Sequence, residues 1–137
     1  KLFRESKTDE FTADMRRELL EICRETNQDE TLENAYVSLI KTEPVFLEWR
    51  KGLTSFYLER GRRDEATAVW NDYLQVTKNT RYRMAAAGTL VEVGLDQLAE
   101  TFARQSMASD DINAKQSALL FLFEMHFSII FIYIELQ

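Results

Sequence analysis

A repeat with a period of about 34 residues constrains this chain more than any other feature. The pair Gly61 and Ala66 recurs one period later as Gly94 and Ala99, and one period earlier its place is taken by Asn27 and Leu32. Asparagine tolerates the left-handed backbone region better than most residues, so Asn27 can occupy the place of a glycine. Larger residues keep the same register. Tyr36 aligns with Trp70, Phe102 falls within one position of that slot, and Leu39 aligns with Tyr73. Leu19, Leu53 and Ala86 form another set, followed one helical turn later by Cys23, Tyr57 and Leu90. A repeat of this length is the mark of a unit too small to bury its own apolar face, which it hides against the next copy.

Within each copy the apolar spacing is helical. Met15, Leu19, Ile22 and Cys23 recur at three- and four-position steps, as do Leu32, Tyr36, Leu39 and Ile40. Breaks fall at 25–29, at 42–44, at Gly61, at 78–80, at Gly94 and at 109–111. Thr42 reads as an N-cap with Pro44 in the first turn of a helix over 45–59. A fourth helix carries Ala66, Val69, Trp70, Tyr73 and Leu74 on one stripe, and Asp111 with its neighbours can cap the last. Only 4 Gly and 1 Pro occur in 137 residues, too few turn formers for a β-sandwich. The expectation is six helices of about 13 to 16 residues, paired as antiparallel hairpins.

Composition narrows the function. With 17 Lys and Arg against 23 Asp and Glu the net charge is −6, which disfavours a surface built to grip phosphate backbones. Cys23 is alone, so neither an internal disulfide nor a thiolate zinc site can form, and it reads as a small buried hydrophobe. His126, the only histidine, lies in an apolar tail, and nothing in its sequence neighbourhood suggests a catalytic triad. Asn27, Asp29, Thr31 and Glu33 alternate like calcium-loop ligands, but Leu32 replaces the required glycine and Ser38 the twelfth-position glutamate. No phosphate-cradling glycine loop exists. The chain is expected to be no enzyme and to use no cofactor or metal.

The repeat resembles the tetratricopeptide repeat, a helix-turn-helix of about 34 residues. The middle copy, 47–80, carries the resemblance through Leu53, Tyr57, Gly61, Ala66, Trp70 and Tyr73. The first, 13–46, keeps Tyr36 and closes with Pro44, and the third, 80–112, keeps Gly94, Ala99 and Phe102. Trp49 lies one position early and Thr54 stands where that family has a small residue. The half-repeat relatives found in RNA-processing scaffolds share the aromatic spacing of Glu48-Trp49 and 69–73. The resemblance covers about 100 residues and implies an all-α right-handed superhelix of antiparallel hairpins over 12–112. A polar segment, 1–11, would precede it, and an apolar segment, 113–137, would follow. The first residue is Lys1, which leaves open a processed form or a piece of a longer protein.

The same resemblance implies that first helices line a concave groove. It places there Asp14, Arg17, Glu21 and Arg24 from the first copy, Glu48, Lys51, Ser55 and Leu58 from the second, and Arg81, Met84 and Val91 from the third. Such a face suits an extended peptide or a helix with charged and apolar anchors. The carboxylate clamp of the chaperone-binding members does not carry over, because Glu21 would repel a carboxylate and Gly52 and Ala85 stand at the further clamp positions. The charge run at 59–65 reads as a solvated, self-compensating cluster. The expected role is an adaptor or scaffold for a protein or peptide partner. A half-repeat scaffold in RNA processing and a membrane-associated assembly factor remain as alternatives, with nucleic acid itself disfavoured.

The tail is the second strong feature. Residues 118–137 are mostly apolar, with Phe127, Phe131 and Tyr133 as candidate docking side chains, and no Lys or Arg follows Lys115. Three readings stay open: a terminal helix closing the core, docking against another subunit of an oligomer or larger complex or against a missing part of a longer chain, and contact with a membrane. The β-branched and aromatic stretch 127–134 also allows a strand.

Overall fold

The computed structural model describes residues 13–137, and these are helical without a strand among them. The polar segment 1–11 lies outside the described residues. Eight helical segments follow one another: α1 (Ala13–Glu25), α2 (Asp29–Thr42), α3 (Leu47–Glu59), α4 (Arg63–Ala68), α5 (Tyr73–Val76), α6 (Thr80–Glu92), α7 (Asp96–Met107) and α8 (Ile112–Glu135). The chain packs as two compact units that meet in sequence at Trp70 and Asn71. In the first unit α2 packs on α1, α3 on α2 and α4 on α3; in the second α6 packs on α7, α7 on α8, and α8 also touches α6. The all-α expectation holds.

The turns repeat at atomic detail. Asn27, Gly61 and Gly94 have φ of 53°, 70° and 79°, and no other described residue has a positive φ. Each ends its helix in the same way. The N–H of the following residue reaches back five positions, from Gln28 to Cys23, Arg62 to Tyr57 and Leu95 to Leu90, over 2.8 to 3.0 Å. The left-handed residue itself donates three positions back, to Arg24, Leu58 and Val91. This Schellman arrangement satisfies the carbonyls that a helix end leaves open. Five positions beyond each turn, Leu32, Ala66 and Ala99 are 1%, 0% and 0% exposed, so the second helix of each pair approaches the first closely.

Three local expectations need correction. Thr42 does not cap α3. It is the last residue of α2, its hydroxyl donating to the Ser38 carbonyl, and α3 begins only at Leu47 after an extended Phe46. Pro44 restricts Glu43 to a non-helical conformation (φ −128°, ψ 66°), which ends α2 just before it. On α1 the apolar stripe is turned: Leu20 is buried, whereas Met15 and Ile22 are 43% and 48% exposed and Cys23 is only half-buried.

The fourth expected helix is broken into α4 and α5 by a turn over 69–72. The cause lies on α3. Arg50, 1% exposed, donates from its guanidinium to the carbonyl of Val69 and, over 3.2 Å, to that of Pro44. A continuous helix would need the Val69 carbonyl for the N–H one turn on. The break still places Trp70 at 0% exposure, its indole N–H donating over 2.8 Å to the Thr54 hydroxyl, which donates in turn to the Arg50 carbonyl. Thr54 stands where a smaller residue was expected because it carries this pair of bonds.

The same device recurs in the second unit. Arg83, one period after Arg50, donates to the Thr77 carbonyl over 2.9 Å and to that of Leu74 over 2.7 Å. In both cases Nε reaches the carbonyl six positions upstream, so an arginine in the first turn of the helix fastens the connection that precedes it.

Candidate functional site

Three of the charges assigned to a groove, Asp14, Arg17 and Glu48, are occupied with one another. Arg17 on α1 makes a forked pair with Glu48 on α3, its Nη2 lying 2.6 Å from Oε2, and also bonds Asp14 over 2.7 Å. The Glu48 hydrogen bond, reinforced by the Glu48 charge, holds the Arg17 guanidinium well above the usual range. Beside it, Arg16 joins Glu43 over 2.8 Å, and the Trp49 indole donates to the same carboxylate over 2.7 Å. These bonds tie α1 to the start of α3 and bring Asp14, Arg17 and Glu48 together on one face. Glu21, Arg24 and Lys51 are exposed, and Ser55 and Leu58 are half-buried. Arg24 lies beside the Tyr36 hydroxyl, whose pKa is pushed up by burial against the pull of that arginine. Gly52 lets the Tyr36 ring approach closely beneath this face: a Cβ there would collide with that ring.

In the second unit, Arg81 and Met84 line a cleft of about 360 Å³ between the first turns of α6 and α8, together with Thr80, Asp111, Asn113, Ala114 and Ser117. Val91, at 38% exposure, lies farther along α6. Sequence reasoning missed the α8 residues of this cleft. A signal for them exists: helices begin at 13, 47, 80 and 112, so α8 occupies the place of a fourth first helix. Asp111 does cap it, accepting from the N–H groups of Asn113 and Ala114. Phe127, Phe131 and Tyr133 are all more than half exposed on α8, which is helical where a strand had been open.

The run 59–65 is not self-contained. Arg60 pairs with Asp29 on α2 and lies 3.8 Å over the Phe56 ring, while Arg62 pairs with Glu33 on α2 and with Glu65, 4.5 Å over Tyr57. The Tyr57 hydroxyl donates to Glu33 over 2.8 Å. Arg62 first, and Tyr57 second, hold the Glu33 carboxyl below its ordinary range. Burial, reinforced by the bond to Glu33, pushes the Tyr57 hydroxyl up to about 12.

A pH dependence follows with two signs. Glu33, Asp29 and Glu65 are all depressed in the fold, so their contribution is complete above the ordinary carboxylate range and disappears as the pH falls through their lowered values. Tyr57 is raised, so its contribution is complete below about pH 10 and is lost as the pH climbs toward 12. Urea midpoints measured from neutral to acidic pH are expected to fall, and in Glu33→Gln to fall less steeply. An equal acid slope in that variant would remove this cluster as the cause.

Among the described residues no three His, Cys, Asp or Glu side chains are grouped as a metal site. His126 is exposed, with Nε2 3.9 Å from the Glu100 carboxylate. No family model, curated protein or solved structure matches this chain.

Proposed function

We propose that this chain is a non-enzymatic adaptor of the tetratricopeptide kind, in which stacked hairpins form a superhelix and present their first helices to a peptide or helix of a partner protein. The observation that carries this reading is the threefold recurrence of one helix-ending turn at Asn27, Gly61 and Gly94, each followed by a buried small or aliphatic residue. A fixed turn repeated at a fixed spacing gives successive hairpins the same geometry, and first helices then fall on a common side. The Arg17–Glu48 fork across α1 and α3 fits this arrangement.

Glu21, Arg24 and Lys51 lie exposed on the first unit. A partner segment of mixed charge with apolar anchors suits them, Ser55 and Leu58 supplying the less polar floor. Selection from a random peptide library against the full chain tests the reading. The sequences recovered should change when Lys51→Glu and Arg24→Glu are introduced together, with unchanged circular dichroism. An unaltered set of peptides, or no enrichment over an unrelated helical protein, would remove this face as the working surface.

A further inference from the structure

α8 begins as part of the fold and then leaves it. Ala114, Ala118 and Leu122, spaced by four, are buried along one side, where the helix packs on α7. Beyond Met125 every residue is exposed. Of the three readings of the tail, closure of the core therefore applies only to the first three turns. The helix is 24 residues long, with a mean hydropathy of 1.9 over its most apolar window and only 11% of that window buried.

The distribution around the helix decides what covers it. Side chains advance by about 100° per residue, so the six apolar residues 129–134 pass right round the circumference. A helix that docks on a second helix or in a protein groove needs one apolar stripe, and its other side stays polar. Here a second copy or a grooved partner would leave half of these isoleucines and aromatics in water. Lipid chains cover all sides at once. Glu124, Ser128 and Glu135 fall within about 40° of each other on a helical projection, whereas His126 lies on the other side, beside Glu100 of α7. The Ser128 hydroxyl already donates to the Glu124 carbonyl over 2.9 Å. A helix lying along the surface keeps this narrow line at the water boundary and most of the rest of its girth in hydrocarbon.

We propose that the projecting end of α8 inserts into the hydrocarbon of a lipid bilayer and so attaches the folded units to a membrane surface. The attachment is apolar: residues 116–137 hold no Lys or Arg to draw the helix to anionic headgroups. His126, held near Glu100 of α7, marks the edge where the folded unit ends.

Flotation of the full chain with neutral phosphatidylcholine vesicles, at low and at high salt, tests this. The chain should float equally at both. Ile130→Asp with Tyr133→Asp, opposite the polar line, should reduce the bound fraction by about tenfold or more, given the cost of a buried acid. Ser128→Asp, on the polar line, should float like the parent. As a second measurement, Tyr133→Trp should be quenched by lipids brominated on their acyl chains to a greater extent than the parent protein. Failure to float, flotation confined to anionic vesicles and abolished by salt, or a discrete lipid-free dimer dissolved by the double substitution would each overturn the proposal.

Discussion

Trp70→Ala is expected to remove about 3 to 5 kcal/mol of stability, the range for emptying the site of a buried large aromatic. Trp70 has no exposed surface, so its deletion opens a cavity that α3 and α4 must either collapse around or leave void. It also deprives the Thr54 hydroxyl of its donor. Against a total of roughly 5 to 15 kcal/mol for an ordinary domain, such a loss leaves the first unit close to unfolding at room temperature. Trp70→Phe separates the two contributions. It retains most of the volume and loses the indole N–H, so about 1 to 2 kcal/mol is expected. Urea unfolding followed by circular dichroism measures both; a Trp70→Ala midpoint near that of the parent would show that this residue does not anchor the unit.

Arg50→Met carries the second large effect, about 2 to 4 kcal/mol, from charge-assisted hydrogen bonds lost by a buried guanidinium to two part-buried carbonyls. Methionine keeps the length of the stem and its packing, so the loss reports the guanidinium. Lysine is not expected to restore it, since a single ammonium cannot span the carbonyls of Pro44 and Val69 as the planar fork does. Arg83→Met should cost less, about 1 to 2 kcal/mol, because Arg83 is only half-buried and water can replace part of what it gives Thr77 and Leu74. Equal losses at the two arginines would show that burial does not set the difference.

These two residues also explain where the amino-acid sequence was legible and where it was not. The repeat was readable because left-handed turns are local. Asn27, Gly61 and Gly94 announce themselves by residue type, and Asp111 does so as a cap, its side chain reaching only two and three positions ahead. The buried slots at Leu32, Ala66 and Ala99 follow from the same register. Arg50 gave no such signal. A charged residue inside a helix pattern reads as surface, and only the chain segments that fold over it turn it into a buried clamp.

The candidate face shows the same division. Spacing placed Arg17 and Glu48 on first helices, but nothing local says that they neutralise each other. The run at 59–65 looked self-compensating because its charges balance; its arginines instead find Asp29 and Glu33 on α2.

The sequence alone determined the helical class, the period of the repeat and the position of each left-handed turn, since backbone conformation at those points depends on the residue and its nearest neighbours. The tertiary structure decided the break between α4 and α5, the rotation of α1, the pairing of the groove charges and the bare end of α8. Each of these depends on which distant atoms come within reach, and for α8 on where its packing against the other helices ends.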